Sequence, residues 1–122
     1  PLPGEVMYIA YIVLAVIVSF LLVFSGRSML VKDKDIVETL TRLGVPSSWY
    51  TMLALLKFAG AAGLLIGIFY RPLGIAAAIG VVLFFIGAVI SHLRVKDVKG
   101  VPVPFVLVLV SAAPLVLGLA TL

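Results

Sequence analysis

The chain has 122 residues, of which 64% are hydrophobic and 11% are charged, whereas soluble domains are roughly half apolar and about a quarter charged. So large an apolar fraction excludes an ordinary soluble domain and makes lipid the solvent for most of the chain. The net charge of +4 suits membrane orientation and contact with anionic lipid headgroups, and no segment is long enough to form a basic nucleic-acid-binding face.

Three charge-free intervals, residues 6–26, 72–91 and 101–122, and one apolar interval interrupted only by Lys57, residues 49–70, predict four membrane-spanning helices. Each interval matches the roughly 20 residues that cross a hydrocarbon core of about 30 Å. We therefore expect an all-α integral membrane protein, an antiparallel four-helix bundle that forms a single domain over residues 1–122. Met7 is a plausible native start, so we expect residues 1–6 to be an added or processed end.

The connection between the first two spans predicts a short amphipathic helix over about residues 35–44. Its apolar positions recur at helical spacing, and Asp35 and Glu38 stand three apart, as in a capping box. Gly44 and Pro46 then stop the helix. Because about ten residues cannot cross the bilayer, we expect this helix to lie at the membrane interface.

Prolines and aromatic residues give three further expectations. Pro72 fits the first turn of the third span, so the second and third spans are expected to form a tight antiparallel hairpin. Pro114 frees the carbonyl of Val110 and predicts a kink in the last span, with the hydroxyl of Ser111 nearby to satisfy the freed group. Aromatic residues predict two interfacial belts, one with Trp49 and Tyr50 and the other with Tyr8, Tyr11 and Tyr70.

Lys57 lies inside a predicted span, and two interpretations of it stay open. An ionisable group at depth costs on the order of 2.5–3.5 kcal/mol on insertion scales and often marks a functional site. Alternatively, the long stem lets the amine reach back toward the interface near Trp49. We expect the side chain to point into the bundle beside Gly60, where the acceptor would be Glu38, Ser91, a backbone carbonyl or a ligand oxygen.

The other candidate residues are small or isolated. Gly60, Gly63 and Gly67 line one side of the second span, and their spacing predicts close packing against the third span or a second protomer. His92 is interpreted as an interfacial polar residue. Haem ligation by two histidines of one chain is excluded because there is a single histidine, and a ligand shared across a dimer stays open.

No pattern in the sequence indicates catalysis or a metal site. The absence of cysteine excludes disulfides, thiolate metal sites and thiol redox chemistry. The acidic residues of the first connection lie among basic ones, which is typical of a solvated loop. We expect no cofactor unless a quinone or lipid is bound.

Three stretches, residues 42–46, 55–67 and 87–100, resemble in order and spacing the DoxX-like family of small bacterial membrane proteins. The resemblance implies a four-helix bundle in the plasma membrane. It implies little about chemistry, and in the complexes of some relatives the small membrane protein resembles an anchor or partner rather than the redox centre. Relatives include a membrane subunit of a thiosulfate:quinone oxidoreductase and a component of an oxidoreductase complex that handles oxidative stress.

The leading functional hypothesis is a non-catalytic subunit or scaffold of a membrane-associated complex, such as a redox system. The alternative is a binder or carrier of a small lipophilic molecule, such as a quinone or lipid, within the bundle. A proton-coupled four-helix exporter is disfavoured because the first span contains no acid. The expected partners are membrane lipids, other membrane or redox proteins and a second copy of the chain. We expect no binding to nucleic acid.

Basic residues predict how the bundle is oriented. Seven of the nine Lys and Arg lie in the first and third connections, and Arg71 is the one basic residue in the second. By the positive-inside rule, we expect both basic connections in the cytoplasm and both termini outside the bacterial plasma membrane.

Overall fold

The structure is a computed structural model that describes residues 3–122. Pro1 and Leu2, which belong to the expected added or processed end, lie outside the described residues. Residues 3–122 contain five α-helices and no β-strand. The helices are α1 (Gly4–Leu30), α2 (Lys34–Arg42), α3 (Tyr50–Ile66), α4 (Arg71–Arg94) and α5 (Pro102–Ala120). Short 3₁₀ turns, Ser47–Trp49 and Val98–Gly100, precede α3 and α5.

Four of these helices, with the 3₁₀ turns that extend α3 and α5, are long and apolar enough to cross a membrane. This confirms the predicted all-α four-helix membrane bundle. The long helices form a ring in which α1 packs on α3, α3 on α4, α4 on α5, and α5 back on α1. Successive helices run antiparallel. The connections at residues 27–48 and 92–100 therefore meet at one end, called here the basic end, and the α3–α4 turn lies at the other, the terminal end.

Helix ends do not follow the charges that were expected to bound the spans. α1 continues past Arg27 and α4 continues past His92, because long or polar side chains at a helix end leave the backbone hydrogen bonds intact. α3 ends at Ile66, before the predicted end at residue 70, because the chain turns at Gly67 to bring α4 alongside.

The predicted amphipathic helix forms as α2, with Val37 half-buried and Leu43 buried just beyond its end. The capping box at Asp35 and Glu38 does not form. The helix begins at Lys34, two residues earlier than a cap at Asp35 requires, and its N-cap residue Asp33 makes no side-chain capping hydrogen bond.

Buried apolar side chains from all sides of the ring form the core between the long helices. Ser19 of α1 is buried among them and donates a hydrogen bond of 3.2 Å to the carbonyl of Ala61 in α3. Such a bond satisfies a polar group that lipid cannot hydrate. One cluster of buried residues in this core contains Val18, Leu22, Ala61, Leu64, Ala78, Val81 and Phe85.

Pro114 lies buried inside α5, which continues as one helix to Ala120. The expected rescue of the Val110 carbonyl by Ser111 is not what the structure shows. The Ser111 hydroxyl donates instead to the carbonyl of Leu107, at 2.6 Å, one turn back along its own helix. A serine on a helix reaches the carbonyls three and four residues before it, so the carbonyl adjacent to Ser111 was a poor candidate.

Two of the five expected belt residues are core residues instead. Tyr11 is 1% exposed and Tyr50 is 5% exposed, whereas Trp49 is 52% exposed. Tyr11 is buried because its hydroxyl has a polar partner inside the bundle, the carbonyl of Gly67 at 3.3 Å. A tyrosine near the end of a span therefore lies inward when a turn of the chain offers it an acceptor.

Candidate functional site

An open groove of about 600 Å³ runs between α3 and α4 on the outside of the ring, and is called here the α3–α4 groove. Its volume is within the range of small-molecule pockets, roughly 300–1,000 Å³. Six of the lining residues are glycine or alanine, and at Gly80 an added Cβ would meet no atom within 4 Å, so this position leaves open space. The small lining residues are Ala59, Gly60, Gly63, Ala76, Ala77 and Gly80.

Lys57 of α3 lines this groove and supplies its charged group. The Lys57 amine donates a short hydrogen bond to the hydroxyl of Ser25 on α1. It also lies 5.4 Å from the centre of the Phe84 ring on α4, within the range of a cation–π contact. Within residues 3–122, the amine forms no ion pair with a carboxylate. The Lys57 side chain thus links α3 to α1 and α4.

Neither polar residue proposed from the sequence as the acceptor for Lys57 contacts it. Glu38 is exposed on α2, and the hydroxyl of Ser91 donates to the carbonyl of Gly87 on its own helix, at 2.9 Å. The acceptor is Ser25, which sequence reasoning missed. Ser25 lies near the end of α1 rather than in a neighbouring loop, and only the packing of α1 on α3 brings the two residues together.

The glycines of α3 face α4 of the same chain. A Cβ at Gly60 would lie 2.8 Å from a methyl group of Val81, and one at Gly63 would lie 2.6 Å from the Cβ of Ala77. At Gly67 a Cβ would overlap the backbone of Gly74, so the two helices touch through their main chains there. This contact closes the groove toward the terminal end.

At the basic end, Asp97 joins α2 to the α4–α5 connection. Its carboxylate lies 2.8 Å from Nδ1 of the buried His92 and 3.2 Å from a guanidinium nitrogen of Arg42. A carboxylate only accepts hydrogen bonds, so His92 Nδ1 carries the proton. The hydrogen bond from His92 is the main cause that lowers the pKa of Asp97, and the charge of Arg42 adds to it.

This cluster was missed by sequence reasoning, which considered His92 alone. The available signal was the five-residue separation of His92 and Asp97 across a helix end. Lys96 adopts a left-handed conformation there, with φ 59°, and the N–H of Asp97 donates to the carbonyl of His92. That turn folds the carboxylate back over the ring. The structure shows no group of three or more metal-ligating residues anywhere in residues 3–122.

At the terminal end, Arg71 ties α4 to α5 and α1. It donates to the carbonyl of Gly118, at 2.8 Å, and to the hydroxyl of Thr121, at 2.7 Å. Its guanidinium lies 4.5 Å from the centre of the Tyr11 ring. A cation at the carbonyl end of α5 is stabilised by the helix dipole, so Arg71 serves the fold.

The arrangement of the site is suited to binding a molecule that has an apolar part and a polar group. The α3–α4 groove provides an apolar channel with one cationic hydrogen-bond donor, Lys57, close to its basic end. His92 and Asp97 bind each other at the basic end, and Arg71 binds the carbonyl of Gly118 at the terminal end, so these polar groups already have partners within the fold.

A family model described as the DoxX-like family matches residues 13–114, a stretch that begins within α1 and ends within α5. No curated protein and no solved structure matches the chain.

Proposed function

The chain belongs to the DoxX-like family, and from that membership and the fold we propose that this small membrane protein binds a lipophilic molecule in the α3–α4 groove. The observation that carries the proposal is Lys57, a charged side chain that lines an otherwise mostly apolar groove. Pockets for small molecules combine mainly apolar walls with a few placed polar groups that fix orientation. A quinone or a lipid has this pattern, with a polar head and a long apolar part.

Two glycines of α4 give a matched test of the groove. A Cβ at Gly80 or at Gly87 would meet no atom within 4 Å, so both positions accept a larger side chain. Gly80 lines the groove, whereas Gly87 does not. Leucine at either position also raises helix propensity by about 1 kcal/mol, so the bundle is expected to stay folded in both variants.

The experiment extracts and quantifies lipophilic molecules from protein purified out of native membranes, with native mass spectrometry of the same samples. We expect wild-type protein and the Gly87→Leu variant to retain a lipophile, and Gly80→Leu to lose at least about nine-tenths of it, because the leucine fills the groove. Equal retention by all three proteins would rule out the groove as the binding site.

A second function, that of a non-catalytic subunit or scaffold in a membrane complex, is favoured by the exposed polar face of α2. This face presents Lys34, Asp35, Glu38 and Arg42 outside the apolar bundle. Charged surfaces of mixed sign set partner choice and orientation at protein interfaces. If the scaffold function is correct, a stoichiometric partner will copurify with wild-type protein and be lost from Glu38→Lys. A protein recovered alone in both cases speaks against it.

The location we propose is the bacterial plasma membrane, with the basic end in the cytoplasm. Its support is the placement of seven of the nine Lys and Arg in the two connections of the basic end. The cytoplasmic leaflet carries anionic lipids, which attract basic segments beside membrane helices.

A further inference from the structure

We infer that the molecule held in the α3–α4 groove is a single-chain lipophilic carboxylate, with its carboxylate on Lys57 and its chain running toward the Gly67–Gly74 contact. This inference rests on the proposed function of the groove and names the class of its ligand. Charge, groove shape and orientation in the bilayer support it independently.

Charge distinguishes an anionic ligand from a neutral one. The Lys57 amine has a neutral hydroxyl, Ser25, and an aromatic face, Phe84, around it, and no carboxylate pairs with it within the described part of the chain. A positive charge at membrane depth is costly unless an opposite charge pairs with it. A ligand carboxylate would pair with the half-buried Lys57 amine as its counter-ion, whereas a quinone carbonyl or an alcohol would supply only a hydrogen-bond acceptor.

The shape of the groove favours one chain. It lies in the crevice between two adjacent helices and is closed where Gly67 meets Gly74. Ten residues separate Lys57 from Gly67, which is about 15 Å at 1.5 Å per residue. A single acyl chain can lie along a channel of that length between two helices, with its carboxylate at Lys57, the one charged residue of the lining within residues 3–122.

Orientation in the bilayer agrees with this arrangement. Lys57 lies seven residues after the start of α3 at the basic end, about 10 Å along the axis, and the closed part of the groove lies deeper. An amphiphile that enters from the lipid surface at the basic end thus arrives with its carboxylate near the amine. Its chain points toward the middle of the membrane, as it does in the surrounding leaflet.

The test compares tritiated dodecanoate with tritiated dodecanol, which share one chain and differ in charge, in a scintillation proximity assay on purified protein. We expect wild-type protein to bind dodecanoate at least about tenfold more tightly than dodecanol. Lys57→Met should reduce this ratio to about one, and Lys57→Arg should keep most of it. Lys99→Met removes an exposed positive charge outside the groove and should leave the ratio unchanged.

The outcomes separate this inference from the proposed function. If wild-type protein binds both probes equally and Gly80→Leu abolishes both, the groove binds lipophiles but the carboxylate assignment is wrong. If neither probe binds, or if Gly80→Leu binds both as wild type does, the groove is not the binding site.

Competition with unlabelled phosphatidylglycerol tests the single-chain assignment. If phosphatidylglycerol displaces tritiated dodecanoate at a lower concentration than unlabelled dodecanoate does, the single-chain assignment is wrong. The wild-type comparison decides the charge question even if Lys57→Met does not fold.

Discussion

Asp97 accepts hydrogen bonds from two sides at the basic end, and its titration is therefore linked to stability. The hydrogen bond from His92, together with the charge of Arg42, lowers the pKa of Asp97 below its ordinary value of 3.8. A carboxyl group with a lowered pKa in the folded state stabilises the fold above its ordinary pKa. That contribution is lost as the pH falls through the lowered value.

Asp97→Asn should therefore lower the unfolding temperature at pH 7, because His92 and Arg42 lose their common charged acceptor. The difference from wild type should persist from neutral pH down to about pH 4 and shrink as the wild-type carboxylate is protonated. Thermal unfolding in detergent, followed by circular dichroism across this range, measures it. Glu5→Gln, at the terminal end, is the control. A constant difference between Asp97→Asn and wild type down to the lowest pH would contradict the linkage.

Lys96, in the same turn, occupies a position where glycine would be more stable. Its φ of 59° is left-handed, and an L-residue with a side chain pays about 1–2 kcal/mol for that conformation, of which glycine avoids nearly all. Lys96→Gly should therefore raise the free energy of unfolding by about 0.5–1 kcal/mol, after allowing for the greater freedom of glycine in the unfolded chain. Arg94→Gly, two residues earlier within α4, should lower it by up to about 1 kcal/mol. Chemical denaturation of both variants in detergent checks the opposite signs.

At the scale of elements, the contact between α3 and α4 depends on the absence of side chains. Gly67→Ala should destabilise the bundle by about 1–3 kcal/mol, because its Cβ would overlap the backbone of Gly74 and backbone cannot rotate away as a side chain can. Gly87→Ala places the same methyl group in open space and should be neutral or stabilising. Thermal unfolding of the two variants gives the comparison, and similar midpoints for both would contradict the close approach.

The sequence was sufficient to predict the helices that the membrane environment requires. A span must be long, apolar and helical, so composition alone located four helices, and α2 followed from its period and its stop signals. Helix ends were less predictable. The termination of α3 at Ile66 depends on the approach of α4 at Gly74, which no local signal in the sequence of α3 records.

The candidate site was predictable in part for the same reason. Lys57 and the glycines stood out because charge and small residues are unusual in a membrane span. The residues that contact the site's polar groups could not be identified from the sequence. Ser25 lies 32 residues from Lys57, and Arg42 lies 55 residues from Asp97, so each pair exists only after the helices have packed. Tyr11 was assigned to the interface because its acceptor, the carbonyl of Gly67, belongs to the backbone and leaves no trace in composition.

At the scale of the whole molecule, the bundle is strongly asymmetric in charge. The hydrogen bond between Arg42 and Asp97 joins the first and third connections at the same end, so that end contains all seven of their basic residues. The terminal end has Arg71, whose guanidinium is already bound to α5. The positive-inside rule predicts orientation from this difference in basic residues between the two ends, and both connections are short enough for the rule to apply.

The predicted orientation is accessible to labelling because the chain has no cysteine of its own. Phe69, in the α3–α4 turn at the terminal end, is 91% exposed, and Lys99 is exposed at the basic end. If the basic end is cytoplasmic, Phe69→Cys and a cysteine at position 122 should react with a membrane-impermeant maleimide on intact cells. Lys99→Cys should react only after permeabilisation. The reverse pattern would invert the topology and place the carboxylate-binding end of the groove in the outer leaflet. Labelling of all three positions on intact cells would indicate a mixed orientation, which so large a difference in basic residues does not predict.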